Sequence, residues 1–471
     1  FAVARHSHRS RNRRSKQAMP VLAPVEAVAK RGGYGLEVKF VHYKLSNKGY
    51  TKSEKLFVYP LLYMNGLYAI ISMLLNLFKG CSLMKIGIVG NYGNDNNGDE
   101  SILFGIIEQV KQTFSVTSAD ITVFSNNMQQ TSEQYGVQSY PLYYRKTNHY
   151  KTFYATYKIN QKYVEKFDLL IIGGGGLLMD LYRREAHLYS AYALMAKKCK
   201  VPYIVYGCGA GPLDTLSGKL MIRIMCRFAE NVSVRDPESK QLLESLGIKK
   251  PIEVIGDPAF TLYRPKQQYA EIPKKVGISA VPVYNANYWP SGDVEKYESY
   301  VESMATNLDQ LVEKKNVDIT FFATKYPQDV TVTKDIQKKM RYAKRTTIID
   351  QNLKPNALLD ITSKQDVVIG TRLHSLILAT DSATPIIAIA YHEKVKNFMK
   401  LINEEKRCCS IEDISNRSDI LLNIYEAVEA DWQQIVETTK GASKHLHDEA
   451  MRGKQLMIKA VKANEKAINN Q

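Results

Sequence analysis

Ile86-Gly87-Ile88-Val89-Gly90-Asn91-Tyr92 and Val276-Gly277-Ile278-Ser279-Ala280-Val281-Pro282 start two halves of this chain alike, each a short apolar run that leads into a loop. Runs of this length and composition fit strands buried on both faces of a parallel sheet. Outward from the first, strands are expected at Lys85–Gly90, Ile121–Ser125, Asp168–Gly173, Pro202–Gly207, Asn231–Arg235 and Ile252–Ile255. Outward from the second, they are expected at Val276–Val281, Asp318–Ala323, Thr346–Ile349, Asp366–Gly370 and Pro385–Ala390. Helical stretches separate them, such as Glu185–Cys199 and Glu238–Leu246, the latter opened by Asp236-Pro237 in an N-cap arrangement. Strand and helix in alternation predict an α/β protein with two doubly wound Rossmann-like domains facing a cleft. Leu262 to Pro273 reads as the linker, dividing the body into residues 84–265 and 266–410. Residues 411–471 are helical in pattern and either brace the first domain or lie solvated.

A formal net charge of +17 over 471 residues would, taken whole, suggest a nucleic-acid partner. Residues 1–83, however, hold 14 of the 64 Lys and Arg and 3 of the 47 Asp and Glu, which leaves the rest of the chain at +6. No basic motif with interleaved aromatics accompanies that charge, so nucleic acid is not expected as a partner. Six cysteines (Cys81, Cys199, Cys208, Cys226, Cys408, Cys409) form no CxxC pair and no metal-ligand spacing. They read as free thiols of a reducing, cytoplasmic compartment.

The first 83 residues stand apart. His6, Arg9, Arg11, Arg13 and Arg14 belong to a basic, acid-poor arm, and no apolar stretch follows closely enough for a secretory signal peptide. Leu56 to Phe78 then runs 23 residues without a charge, long enough to span a bilayer, although Pro60, Asn65, Gly66 and Asn76 interrupt it. Lys44, Lys48, Lys52 and Lys55 before it would keep the N-terminus cytoplasmic and carry the body across the membrane. Two readings stay open: an appended extension preceding a body that starts at Met84, or a membrane anchor. A peripheral association with the inner face of the membrane is compatible with the first.

Open α/β sheets bind ligands beyond the carboxyl ends of their strands. Thr371-Arg372-Leu373-His374 follows one expected strand and Tyr391-His392-Glu393-Lys394 the next, so a guanidinium, two imidazoles and an ammonium can converge on one anion. In the first half, Asn91 to Glu100 joins the first strand to a helix expected near Ser101. That loop either offers backbone amides to an anion or is a turn whose Asp99 and Glu100 cap the helix. Gly173-Gly174-Gly175-Gly176 would leave bare backbone at a ligand, and Gly207-Cys208-Gly209-Ala210-Gly211-Pro212 repeats the theme after the next strand. Arg235 ends a strand where it can meet an anion, whereas Asp257 reads as a turn or cap residue. Tyr288 and Trp289, in the loop Tyr284 to Asp293, are sugar-stacking platforms or part of a plain hydrophobic loop.

Taken in order, Asn91-Tyr92-Gly93 through Gly98-Asp99, the Gly173–Gly176 run, Val234-Arg235-Asp236, Gly256-Asp257-Pro258-Ala259, Thr371-Arg372-Leu373-His374 and Lys394-Val395 resemble the polysaccharide pyruvyl transferases. The resemblance covers residues 84–402 and implies a GT-B-like fold. It implies transfer of a pyruvyl group from phosphoenolpyruvate to two hydroxyls of one sugar, as a cyclic ketal, in a cell-wall or exopolysaccharide precursor. It places Arg235, His374 and Lys394 at catalytic positions. Arg372, Gly173, Gly174, Gly175, Gly176, Asn91, Tyr92, Gly98 and Asp99 then surround the donor, and Tyr288 and Trp289 are left for the acceptor. His392-Glu393 before Lys394 departs from the Asp-Pro that the family's pattern would bring there. The chemistry agrees with the residues: a phosphate and a carboxylate ask for several cations. Ketal formation asks for an acid and a base, with His374 as one and an unassigned carboxylate as its partner. Phosphoenolpyruvate is the implied co-substrate and a lipid-linked or polymeric saccharide the acceptor, with no redox cofactor and no metal. Two alternatives compete: a GT-B glycosyltransferase using a nucleotide sugar, and a non-enzymatic sugar-sensing or assembly subunit, which would have little need of all three catalytic candidates.

Overall fold

The computed structural model describes residues 84–469 except 182, 183 and 290, so the basic arm and the Leu56–Phe78 segment lie outside the described residues. Two all-parallel sheets carry the body. The first comprises β1 (Ile86–Val89), β2 (Ile121–Ser125), β3 (Gln138–Pro141), β4 (Leu169–Gly173), β5 (Tyr203–Cys208), β6 (Val232–Val234) and β7 (Ile252–Val254), in the order β3-β2-β1-β4-β5-β6-β7. The second comprises β8 (Lys275–Ser279), β9 (Asp318–Phe321), β10 (Thr346–Ile348), β11 (Val367–Gly370), β12 (Ile386–Ala390) and β13 (Cys408–Ser410), in the order β10-β9-β8-β11-β12-β13. Each is doubly wound, and the strand order reverses between β1 and β4 and again between β8 and β11. A crevice opens at such a reversal because successive crossover helices leave to opposite faces.

Register follows from apolar residues that must be buried on both faces. Ile88 lies opposite Val123 on one side and Ile171 on the other. In the second sheet Ile278 lies between Phe321 and Ile369. Two strands escaped the sequence reading, β3 and β13, and both are edges. Gln138-Ser139-Tyr140-Pro141 is half exposed and β13 has three residues, so neither presents the apolar run that marks a central strand. The helix expected near Ser101 spans Asn97–Phe114 instead, capped by Asn96, whose side chain accepts from the Gly98 amide at 3.2 Å. Asp99 and Glu100 therefore occupy its first turn and do not supply the cap.

The helix Asn97–Phe114 joins the two halves, because Ile102 and Ile106 share one core with Leu373, Leu376 and Phe398. After β13 the chain returns across the second half and packs on the first. Leu446, Ala450, Leu456, Met457 and Ala460 are buried in that shared core. Gln109 Nε2 donates to the Ala450 carbonyl at 2.9 Å and Asn231 Nδ2 to the Leu456 carbonyl at 2.9 Å. The C-terminal helices Trp432–Met451 and Gly453–Asn469 thus brace the first sheet. No helix among the described residues is long and apolar enough to cross a membrane.

Leu446→Ala, which empties a fully packed position of this brace, lowers unfolding free energy by about 2–5 kcal/mol in a denaturant titration.

Candidate functional site

The carboxyl ends of both sheets' strands face one cavity of about 1310 Å³. It is lined from the first half by Asn91 and Asp99 after β1, Gly175 and Gly176 after β4, Gly209 after β5, Arg235 after β6 and Asp257 after β7. From the second half come Tyr288 and Trp289 after β8, Lys325 after β9, Arg372 and His374 after β11, and Lys394 after β12. Tyr92, Gly98, Gly173 and Gly174 stand behind this surface and do not line it. The Tyr92 hydroxyl donates to the Gly173 carbonyl at 2.6 Å, which fixes the turn out of β4. Gly175, at φ 71°, leaves room for the Asp99 carboxylate, which a Cβ would meet at 2.9 Å. Gly98 has no space for any side chain because the His374 ring packs against it. Its part is to admit that imidazole from the opposite half.

The cations differ in how far they are already paired. Arg235 donates through Nη1 to Asp257 Oδ2 at 2.9 Å, and its Nε lies 3.6 Å from Asp236. Burial opposes its charge, and the two carboxylates outweigh burial and hold it protonated. Asp257 does more than close a turn: its other oxygen accepts from the Ala259 amide at 3.0 Å, so it orients Arg235 as well. Arg372 is more tightly held. Its Nε and Nη2 both donate to Asp329, the shortest at 2.6 Å, and Nη1 donates to the Tyr288 hydroxyl at 2.7 Å. Asp329 is fully buried and accepts in addition from the amides of Thr324 and Lys325. Arg372 is therefore first an organiser of the loop after β9. Tyr288 is committed to it through its hydroxyl, while Trp289 meets Tyr391 edge-on at 5.9 Å.

Lys394 and Lys325 enter no ion pair among the described residues; their Nζ atoms lie 5.4 Å from the Tyr391 ring centroid and 5.5 Å from that of Tyr288. Glu393 turns away to Lys396 at 3.2 Å. His392 caps the helix Glu393–Leu401, its Nδ1 accepting from the Lys394 amide at 3.2 Å, so it is not a second free imidazole. Lys325 was missed in the sequence, although a cation just past the end of an expected strand carries the same positional signal as Arg372.

Of the titratable groups lining the cavity, His374 and Asp99 have pKa values shifted in opposite senses. Burial pushes His374 down to about 4; Asp257 opposes this, and Arg235, Lys394 and Arg372 add to it. The imidazole is neutral near pH 7, and its Nε2 is shielded from solvent without a hydrogen-bond partner among the described residues. The sequence reading of His374 as acid or base near neutrality thus narrows to a neutral ring with one nitrogen left to satisfy. Burial pushes Asp99 up to about 6, against the pull of Asn91 and of Arg235, Lys394 and Lys325. Asn91 and Asn96 both donate to Asp99 Oδ2 at 2.9 Å, which leaves Oδ1 beside Gly175 at the cavity wall. Among the described residues no three His, Cys, Asp or Glu side chains group as a metal ion would require.

Residues 96–393 match the family model of polysaccharide pyruvyl transferases, a span that holds Arg235, Arg372 and His374 and stops one residue short of Lys394. The chain is 24% identical over 412 residues to the amylovoran biosynthesis protein AmsJ of Erwinia amylovora, covering 75% of this chain and 96% of that one. In fold it is similar to the UDP-GlcNAc 2-epimerase of Neisseria meningitidis, with TM-score 0.51 at 13% identity over 80% of this chain and 99% of that one. It is likewise similar to Anabaena Alr3699/HepE, with TM-score 0.52 at 12% identity over 81% and 100%. These are two-domain, GT-B-like folds, and the likeness concerns architecture alone.

Asp329→Ala would leave the Arg372 guanidinium buried without its counter-charge and lower stability by about 3–5 kcal/mol, measured by chemical denaturation.

Proposed function

This chain belongs to the polysaccharide pyruvyl transferase family, and from that premise we propose that it moves the pyruvyl group of phosphoenolpyruvate onto two hydroxyls of a saccharide, as a cyclic ketal. It is a transferase, and its family and the amylovoran relative support a role in exopolysaccharide synthesis. The observation that carries the reading is the gathering of Arg235, Lys325, Lys394 and His374, whose buried Nε2 has no hydrogen-bond partner among the described residues, around one cavity. A dianionic phosphate and a carboxylate on one small molecule need that many cations. Transfer from a nucleotide sugar also needs a base for the acceptor hydroxyl, but no acid to protonate a carbon.

In this proposal phosphoenolpyruvate lies among Arg235, Lys325 and Lys394, with Arg372 holding the loop that carries Lys325. A proton is added to the methylene carbon, which becomes the methyl group, while a sugar hydroxyl attacks the adjacent carbon and loses its proton. The second hydroxyl then attacks the same carbon and phosphate departs, taking up the remaining proton. Asp99 is suited to give the first proton, because burial keeps its carboxyl protonated to a higher pH than an exposed one. His374 is suited to take the hydroxyl proton, because it is neutral and its Nε2 lacks a partner. The cations beside phosphate stabilise it as it leaves. Tyr288 and Trp289 are the proposed wall for the acceptor sugar.

Purified protein incubated with phosphoenolpyruvate and saccharide should release phosphate only when acceptor is present, with a mass gain of one pyruvyl ketal on the saccharide. Consumption of a nucleotide sugar in place of phosphoenolpyruvate would sink the proposal. His374→Ala should abolish turnover with the circular dichroism spectrum unchanged, and Asp99→Asn should lower kcat by about 10²–10⁴-fold. With His374 required neutral and Asp99 required protonated, kcat/KM should rise through about pH 4 and fall through about pH 6. Loss of the alkaline limb in the residual activity of Asp99→Asn would separate this fall from the titration of phosphoenolpyruvate itself.

A further inference from the structure

On one face of the first sheet the helices His149–Val164, Glu185–Lys198 and Leu216–Phe228 pack side by side. Their first turns follow the carboxyl ends of β3, β4 and β5, so they lie at the same edge as the cavity. That edge is unusually apolar for a solvent face. Tyr150 is 87% exposed, Leu216 is 85% exposed, and Tyr154, Leu181 and Leu220 are also exposed. Leu181 itself lines the mouth of the cavity. Its neighbour Asp180 accepts from the Thr215 amide at 2.7 Å, which places Leu181 beside the start of the Leu216–Phe228 helix.

The same helices are cationic from that edge to their far ends. Residues 142–164 contain Arg145, Lys146, Lys151, Lys158 and Lys162 and no Asp or Glu; residues 215–229 contain Lys219, Arg223 and Arg227 and again no Asp or Glu. Leu216, Leu220, Arg223 and Arg227 are exposed and fall at helical spacing on one stripe. None of these eight cations enters an ion pair among the described residues. The flanking carboxylates stand at the ends of these segments: Glu165, Asp168, Asp214 and Glu230 are exposed, Glu185 pairs with Arg184, and Asp180 accepts from the amides of Asp214 and Thr215. Exposed Tyr and Leu interleaved with unpaired Lys and Arg suit an anionic bilayer, where the rings and leucines enter the headgroup region and the cations meet lipid phosphate.

We propose that this rim docks on an anionic lipid bilayer and holds the mouth of the cavity at the membrane surface. The docking stands on exposure and charge; that it presents a lipid-linked saccharide to the cavity rests on the pyruvyl transfer reading. The test uses the full chain carrying Leu216→Trp and vesicles with brominated acyl chains, made of phosphatidylcholine alone or mixed with phosphatidylglycerol. The introduced indole should shift to the blue and lose emission only with the mixed vesicles, the effect fading as salt is raised. Adding Arg223→Glu and Arg227→Glu should remove it. Co-sedimentation with vesicles while the indole stays unquenched would overturn the proposal, since another part of the chain then makes the contact. So would absence of vesicle binding, which would leave the rim to a protein partner. Pyruvyl transfer to a water-soluble saccharide should be unchanged in Leu216→Trp; its absence in the unsubstituted protein would defeat the functional reading and leave the docking result standing.

Discussion

Asp329, fully buried, accepts from Nε and Nη2 of Arg372 and from the amides of Thr324 and Lys325. An ion pair removed from water survives only if its remaining lone pairs and protons find partners, and here both carboxylate oxygens do. The loop so held then meets the other half of the molecule: the Thr324 carbonyl accepts from the Asn97 amide at 2.9 Å, and the Asp95 carbonyl from the Tyr326 amide at 3.2 Å. Asn352 reaches the Asp95 carboxylate at 2.8 Å. The position of Lys325 in the cavity and the contact between the loops after β1 and β9 are thus set by one carboxylate.

That arrangement divides the cations by function. Arg372 spends its donors on Asp329 and Tyr288, and Arg235 one of its own on Asp257, whereas Lys325 and Lys394 enter no ion pair among the described residues. The cavity is therefore poised for an anion. An anion entering it also changes the groups around it, because negative charge offsets the cations that help to depress His374 and raises its basicity. Asp99 moves in the same direction. The ligand thereby strengthens the base and keeps the acid protonated.

Much of this was legible in the sequence, because parallel strands announce themselves by apolar runs, and the loop residues directly after each run mark its carboxyl end. Arg235, Arg372, His374 and Lys394 each come directly after such a run, and all four meet in the cavity. The features that escaped depend on partners far apart in sequence. Asp329 lies 43 positions from Arg372 and looks like one more surface acid in a helix's first turn. Asp99 was legible as a helix-start residue, but only burial beside Gly175 makes it a carboxyl with a raised pKa. Gly98 was expected around the donor, and it stands behind the cavity wall with the His374 ring packed against it. The edge strands β3 and β13 failed for the opposite reason, since one wet side removes the apolar signal.

The returning C-terminal helices bear on how the protein is made. The core under β1 and β5 is closed by Leu446, Ala450, Leu456 and Met457, which the ribosome reaches only after the second sheet has been made. Between the end of β7 and Leu446 lie about 190 residues, so during synthesis the first sheet waits about 10–40 s for its cover. A nascent chain with that much unsealed apolar surface is a client for chaperones, and termination before Leu446 releases a protein whose first half is the unfinished part.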